Sequence, residues 1–351
     1  MRTVVVIASS SRGGSSVTAA WLRQSRQLLH FRAEVNPFFH LAGLQSDSDY
    51  VPADAPTQRL WTLMRPDIGR PGPYDPDAFA RDLHARFRLQ WVDRRFRMDE
   101  VRRALPSPPV DATFHRTVFE RLGIPAGYYD LPAQAPVPQG PFEPVLEEPP
   151  LVCIEPWEWA ADIDRPLIIK TPSLAYRLPY LRRLFAGWRL KVLHLVRAAP
   201  DAINGLVDGW NYPNGFFSHR LDLAIPGYSE VHPWGDWWNY DLPPGWQAWT
   251  RQPLVEVCGW QWRSAHEHIL RFNEADDWLT VKFEDLLGGK VRPVLDWLGV
   301  EREPALDRGF EELPPVMATS PRARRWFERA DALDPALNRP DTAEMMKRLG
   351  Y

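Results

Sequence analysis

The chain has 351 residues, a hydrophobic fraction of 44%, a charged fraction of 25% and a formal net charge of −3. These values are ordinary for a globular protein with a full core, and the small negative charge argues against nucleic acid as a partner. No apolar run approaches the roughly 20 residues that cross a bilayer, so the sequence predicts no membrane span and a cytoplasmic protein. Cys153 and Cys258 lie far apart without a CxxC pattern, which predicts reduced, buried thiols and no metal site.

The chain begins with a pattern typical of an anion-binding turn. The apolar run Val4–Ala8 predicts a buried parallel strand, and a helix is predicted over residues 16–27. A loop between a strand and a helix aims backbone N–H groups at an anion, and small residues let the backbone approach it. The loop residues expected to bind the anion are Arg12, Gly13, Gly14, Ser15 and Ser16.

The next segment predicts a second strand with a carboxylate at its end. Apolar and polar residues alternate from Leu29 to Val35, and Asn36-Pro37 is expected to end this strand. Glu34 would then lie at the carboxyl end of a strand, where open α/β sheets bind their ligands. His40 and His115 are reserve candidates for a catalytic base.

The α/β pattern resumes near residue 151. Leu167–Ile169 predicts a buried strand, and Lys170 follows it directly. Thr171 is expected to cap a helix that begins at Pro172 and stops near Gly187.

Three further elements complete the predicted core. Residues 191–196 predict a strand that contains a buried His194 and is followed at once by Arg197. A helix is predicted over 257–272, and Trp278–Phe283 predicts the last strand before another helix.

Two segments interrupt this pattern. Residues 45–150 are rich in proline, which argues against central strands and predicts a cap, with a helix over 78–104. Residues 207–255 are rich in tryptophan and tyrosine, which either pack this insertion or line an acceptor pocket. We therefore predict one domain over 1–351, with these two insertions in a core formed by residues 1–44, 151–206 and 256–351.

Three motifs in chain order carry a family resemblance. They are Arg-Gly-Gly-Ser-Ser in the first loop, Lys-Thr-Pro followed by Leu-His-Leu-Val-Arg, and the late Val-Lys-Phe-Glu-Asp-Leu-Leu-Gly. The sequence resembles the sulfotransferases that use 3′-phosphoadenosine 5′-phosphosulfate (PAPS), especially the bacterial branch related to carbohydrate and tyrosylprotein sulfotransferases. The resemblance implies a three-layer α/β fold, with a mainly parallel sheet flanked by helices, similar to that of the P-loop nucleotide kinases.

The resemblance also implies roles for individual residues. Arg12 to Ser16 would bind the 5′-phosphosulfate, and Arg197 would bind the 3′-phosphate. Glu34 would be the general base, and Arg12 and Lys170 would stabilise the charge that develops during transfer. The family usually has a serine where this chain has Gly205. The residues expected near the 3′-phosphate beside Arg197 are Asn204, Gly205, Ser320, Arg322 and Arg325.

The sequence therefore predicts sulfuryl transfer from PAPS to a hydroxyl (or amine) group of a small-molecule or carbohydrate acceptor. The product would be 3′-phosphoadenosine 5′-phosphate (PAP), and no metal is required. One alternative is a small-metabolite kinase that uses Mg-ATP, although the lysine and hydroxyl pair that ends a P-loop motif is missing. A second alternative is an inactive relative that only binds a nucleotide. Neither the acceptor nor the oligomeric state follows from the sequence.

Overall fold

The computed structural model describes residues 1–32, 34–44, 46–73, 75–90, 96–105, 114–123, 157–212, 217–310 and 324–351. Within these residues there are nine strands and fourteen α-helices. The strands are β1 Thr3–Ala8, β2 Leu29–Phe31, β3 Ile68–Pro71, β4 Trp157–Trp159, β5 Leu167–Ile169, β6 Arg189–Val196, β7 Phe217–Arg220, β8 Trp237–Asn239 and β9 Asp277–Lys282. The helices are α1 Ser15–Leu22, α2 Asn36–Leu41, α3 Gln58–Met64, α4 Pro76–Gln90, α5 Met98–Ala104, α6 Phe114–Arg121, α7 Leu178–Leu184, α8 Ala199–Asn211, α9 Leu254–Arg271, α10 Phe283–Leu287, α11 Arg292–Leu298, α12 Pro304–Asp307, α13 Ala330–Leu337 and α14 Pro340–Arg348.

Seven of the described strands form one sheet, in the order β4-β3-β2-β5-β1-β6-β9. β2, β5, β1, β6 and β9 are parallel, whereas β3 and β4 add an antiparallel edge. The central strands are continuous apolar runs because helices cover both faces of the sheet. The predicted α/β fold with a mainly parallel sheet between helices is confirmed.

The order of the strands places the first loop at a switch point. The chain leaves β1 through α1 toward β2, and it leaves β5 through α7 in the opposite direction toward β6. Crossovers in parallel sheets are right-handed, so opposite directions place α1 and α7 on opposite faces. The two helices indeed belong to separate apolar clusters. Ligands of open α/β sheets bind at such points, beyond the carboxyl ends of the strands.

Some predicted boundaries differ from the observed ones. β2 ends at Phe31 rather than near Val35, because Asn36 already begins α2. The predicted helical cap at Thr171 is wrong, since Ser173 adopts a left-handed φ of 65° and α7 begins only at Leu178. Thr171 instead accepts a hydrogen bond from the backbone N–H of Asn36 over 3.0 Å.

The proline-rich segment 45–150 is not only a cap. Its strand β3 pairs antiparallel with β2 and lies second from the edge of the sheet. A proline is tolerated here because Pro71 is the last residue of β3, where the ladder of hydrogen bonds ends.

The aromatic segment 207–255 packs into an apolar cluster that it shares with α8, α9 and the C-terminal helices. Trp210 on α8 makes edge-on contacts with Tyr228 and Trp238, at ring distances of 5.0 and 5.2 Å. All three side chains are fully buried against α8 and α9. Cys258 on α9 is a buried free thiol as predicted, whereas Cys153 lies outside the described residues. Within the described part of the chain, no helix has the length and apolar character needed to cross a membrane.

Candidate active site

The first loop forms a tight turn between β1 and α1. Arg12 has a left-handed φ of 61°, and Gly14 has a φ of 95° directly before α1. A Cβ atom on Gly13 would lie 2.8 Å from the carbonyl oxygen of Ser10, and one on Gly14 would lie 2.3 Å from the ring of Phe283. Both glycines are therefore required by packing within the protein, and their small size leaves the start of α1 open to a ligand.

Arg197 joins the second predicted anchor to the first loop. It follows β6, the neighbour of β1 in the sheet, and its Nη1 donates to the carbonyl oxygen of Arg12 over 3.0 Å. Gly205 lies within α8, the helix that follows Arg197, and faces the Arg12 side chain. A Cβ atom there would lie 3.3 Å from Cβ and 3.5 Å from Nε of Arg12. Gly205 thus makes room for the arginine of the loop.

Arg197 lies in a buried and strongly charged environment. Burial is the main cause that lowers its pKa, and the positive charges of Arg12 and Arg325 lower it further. The charges of Asp201, with Oδ1 4.0 Å from Nη2, and of Glu284 oppose this effect. Because burial leaves the Arg197 guanidinium group poorly solvated, a bound anion would stabilise its charge. Asn204, also predicted for this site, is buried on α8.

The tail residues predicted for this site are only partly described. Arg325 forms an ion pair with Asp208 of α8, and Arg329 joins the same carboxylate at 2.7 Å. The backbone N–H of Arg324 donates to Asp201 over 3.2 Å, which packs the tail against the start of α8. Ser320 and Arg322 lie outside the described residues.

Glu34 and Lys170 come together at the ends of two neighbouring parallel strands. Lys170 Nζ donates to Glu34 Oε1, and the lysine side chain is 10% exposed, against 33% for the glutamate. Two contacts fix the backbone around them. Thr171 accepts the bond from Asn36, and Arg23, directly after α1, donates to the carbonyl oxygens of Phe31 and Arg32 over 2.9 and 2.7 Å.

A cleft of about 170 Å³ lies between α1 and the β2 and β5 strands, beside this ion pair. Ser16, Ala19, Ala20, Arg23, His30, Phe31, Glu34, Ile168 and Lys170 line it. The lining thus combines apolar side chains with charged and polar ones. Ser16 of α1 and the candidate base Glu34 line the same space.

His30 is a polar residue of this cleft that the sequence did not single out. It is 3% exposed, and its pKa is well below the usual value, first because of burial and then because of the charge of Arg23. Its ring is hydrogen bonded to the backbone of Leu22, and Nε2 has no partner among the described residues. A neutral imidazole with one nitrogen left over can accept a hydrogen bond from a ligand hydroxyl. The available signal in the sequence was that His30 and Glu34 both occupy polar positions of the alternating pattern from Leu29 to Val35.

A buried cluster beneath the loop was also missed. It contains two carboxyl groups, Asp49 and Asp241, together with Ser11, Ser173 and Arg177. No local pattern predicts it, because Asp49 and Asp241 belong to the two different insertions.

Of the two reserve bases, only His40 has a described side chain. His40 is exposed at the end of α2, and the side chain of His115 lies outside the described part of the chain. His194 is fully buried in β6 as predicted, and its Nε2 lies 2.9 Å from Nδ1 of His266. Among the described residues, no group of three or more histidine, cysteine or acidic side chains is arranged to hold a metal ion.

No protein-family model matches this sequence, and no curated protein matches it either. Several solved structures align with the chain, and three of them are sulfotransferases or sulfotransferase domains. A sulfotransferase domain from the olefin synthase of Synechococcus PCC 7002 is 15% identical, with a TM-score of 0.41, over 99% of this chain and 94% of that one.

The other two structures are similarly distant. A sulfotransferase domain from the curacin biosynthetic pathway is 13% identical, with a TM-score of 0.43, over 100% of this chain and 98% of that one. A sulfotransferase from Mycobacterium avium is 14% identical, with a TM-score of 0.37, over 99% of this chain and 76% of that one.

Proposed function

We propose that this chain transfers a sulfuryl group from PAPS to a hydroxyl or amine group of a small-molecule or carbohydrate acceptor. One observation carries the proposal. Four neighbouring parallel strands deliver the loop with Arg12, the Glu34–Lys170 pair and Arg197 to the same edge of the sheet. Sulfuryl transfer requires an anion-binding loop, a base, a cation and a second anion-binding arginine.

The residues present fit the donor at both of its anionic ends. The backbone N–H groups at the start of α1 and the hydroxyl groups of Ser15 and Ser16 would bind the 5′-phosphosulfate. Arg197 would bind the 3′-phosphate and so select this nucleotide over ATP. The bond from Arg197 to the Arg12 carbonyl oxygen sets the spacing between the two sites.

In the proposed reaction, Glu34 takes the proton from the acceptor hydroxyl as the acceptor oxygen bonds to sulfur. The bond from sulfur to the bridging phosphate oxygen breaks, and PAP leaves with the negative charge. Lys170, which donates to Glu34 here, would turn one hydrogen toward the bridging oxygen, and Arg12 would stabilise the sulfonate oxygens. A well-placed base contributes roughly 10²–10⁴-fold to such a reaction.

The cleft beside Glu34 is the proposed acceptor site. At about 170 Å³ it admits a group the size of one sugar or phenol ring. Ala19, Ala20 and Ile168 provide an apolar surface for the ring, and His30 would accept a hydrogen bond from a second hydroxyl group.

The kinase alternative is less well supported by the same geometry. A P-loop kinase positions a lysine from its loop on the transferred phosphate, and this loop has Gly14 and Ser15 instead. Lys170 reaches the site from β5, where its partner is a candidate base. An inactive nucleotide-binding relative would keep the arginines but would not need the Glu34–Lys170 pair.

A ligand titration followed by thermal unfolding tests the proposal. We expect PAP to raise Tm without Mg²⁺, because no metal takes part, and ATP to raise it little. A stabilisation of about 2.7 kcal/mol is expected at a PAP concentration of 100 times Kd. A larger response to Mg-ATP than to PAP would refute the proposal in favour of a kinase.

A further inference from the structure

A buried hydrogen-bond network joins the phosphate-binding loop to both insertions. Ser11 Oγ donates to Asp241 Oδ2 over 2.9 Å, and the backbone N–H of Ser11 also donates to this carboxyl group. Ser173, in the turn after β5, has its hydroxyl oxygen 2.9 Å from Asp241 Oδ1 and 2.7 Å from Asp49 Oδ2. Asp241 is 2% exposed and Asp49 5% exposed, so water does not separate these groups.

The number of protons in this network is limited. The Ser173 hydroxyl group has one proton and lies within hydrogen-bond distance of two carboxyl oxygens. If both carboxyl groups were ionised, one oxygen would face a lone pair of Ser173, and two negative charges would share a dry site. One proton added to either carboxyl group removes both conflicts. The protonated carboxyl group then donates to Ser173, and Ser173 donates to the ionised carboxyl group.

The surroundings show which carboxyl group holds the proton. Asp49 has a positive partner, since Arg177 Nη2 lies 3.1 Å from its Oδ1, and the backbone N–H of Leu242 donates to its Oδ2 over 2.7 Å. Among the described residues, the donors recorded on Asp241 are the neutral groups of Ser11 and Ser173. The ion pair with Arg177 therefore stabilises a carboxylate at Asp49, and this geometry assigns the shared proton to Asp241. Burial and the charge of Asp49 both raise the pKa of Asp241.

The other charged and titratable groups around Asp241 do not change this assignment. Tyr176 and Tyr240 face it, and burial raises the pKa of both phenols, so both stay neutral. Arg177 lies on the far side of Asp49, to which it is bonded. The nearest charge on the loop is Arg12, which acts on Tyr240.

We propose that Asp241 is a positioning residue of the phosphate-binding loop, whose protonated carboxyl group binds both hydrogen-bond donors of Ser11. Loss of the proton would set a carboxylate against Asp49 and against the Ser173 lone pair. Ser11 would then shift together with Arg12, which follows it in a left-handed conformation. The inference rests on the proposed function only in so far as this loop binds the donor phosphates.

A pair of matched substitutions tests the proton assignment. In Asp241→Asn the neutral amide donates to Ser173 and accepts from Ser11, as the protonated acid does, so we expect Tm within about 2 °C of wild type. In Asp49→Asn the charge of Arg177 is left buried without its carboxylate, and we expect Tm to fall by roughly 5 °C or more. Equal losses, or the larger loss in Asp241→Asn, would overturn the assignment.

Infrared difference spectroscopy reads the proton directly. The spectrum of wild type minus Asp241→Asn at pH 7 is expected to contain the C=O stretch of a neutral carboxylic acid. Carboxylate bands alone would overturn the proposal. Both this measurement and the Tm comparison are independent of donor binding, so they stand even if PAP fails to bind and the proposed function is wrong.

Binding of PAP, measured by calorimetry, tests the positioning role. We expect Asp241→Asn to bind PAP within about twofold of wild type and Asp241→Ala to bind about tenfold more weakly. As the pH rises through the loss of the Asp241 proton, located by the infrared titration, wild-type affinity should fall further than that of Asp241→Asn. The protonation of PAP itself changes with pH in the same way for both proteins, so it does not affect this comparison. Unchanged affinity in Asp241→Ala would show a merely structural role.

Discussion

Replacement of Gly14 by alanine tests the construction of the proposed phosphate-binding loop. Gly14 has a φ of 95°, which an alanine adopts at a cost of about 1–2 kcal/mol. Its Cβ atom would also lie 2.3 Å from the Phe283 ring, which is fully buried. Overpacking of this kind costs about 1–3 kcal/mol. Gly14→Ala is therefore expected to lower the free energy of unfolding by about 2–5 kcal/mol in total.

Gly187→Ala provides the matched control. Gly187 has a similar φ of 81°, but a Cβ atom there would have no neighbour within 4 Å. The control should therefore show the backbone strain alone, about 1–2 kcal/mol. Urea-induced unfolding of both variants gives the two free energies, and PAP binding by calorimetry should be weakened only in Gly14→Ala.

The contact with Phe283 can be isolated by a double-mutant cycle. Phe283→Ala removes the ring, so Gly14→Ala in that background should cost only the backbone strain, and the two substitutions should show a coupling of about 1–3 kcal/mol. The reasoning is refuted if Gly14→Ala costs no more than Gly187→Ala, or if the cycle shows no coupling.

Three further predictions follow from the site and the core. Glu34→Gln should keep PAP affinity but lose roughly 10²-fold or more in turnover, measured with labelled PAPS, and near wild-type turnover would exclude Glu34 as the base. Arg197→Ala should weaken binding of PAP far more than binding of adenosine 5′-phosphate, while the exposed Arg292→Ala should weaken neither; equal losses for both nucleotides would contradict the 3′-phosphate role. Burial lowers the pKa of His194 from 6.5 to about 3, so its stabilisation is complete above pH 6.5 and is lost as the pH falls toward 3. Urea titrations over this pH range should show a smaller loss of the free energy of unfolding in His194→Gln than in wild type. Equal losses in the two proteins would disprove this cause.

The parts of the fold that could be predicted are those with a local physical signal. Val4–Ala8 and Leu167–Ile169 are buried on both faces, so a short apolar run identifies each as a parallel strand. Parallel strands end at one edge, so the residues that follow them, such as Arg197 and Lys170, lie along the same edge of the sheet. The contact of Lys170 with Glu34 also depends on the pairing of β2 with β5, which the sequence did not predict.

The parts that could not be predicted depend on contacts distant in sequence. Ser11 and Asp241 are separated by 230 positions, and neither stands out within its own segment. The expected helical cap at Thr171 does not form, because the Ser173 hydroxyl group is hydrogen bonded to two buried carboxyl groups. These hydrogen bonds hold the turn at Ser173 in a left-handed conformation. Local propensity favoured a helix after Thr171, but the tertiary polar network determines the conformation of this turn.

Gly205 shows how a departure from a family pattern acquires a physical reason. In the sequence it marks a missing hydroxyl group near the 3′-phosphate. In the structure, a side chain at 205 would press on Arg12 at 3.3 Å, and Arg12 has little freedom because its φ of 61° and the bond from Arg197 fix its backbone. The arginine at position 12 and the glycine at position 205 are thus linked by one steric requirement. A serine introduced at 205 would therefore require the Arg12 side chain, which the proposed transfer needs, to shift slightly.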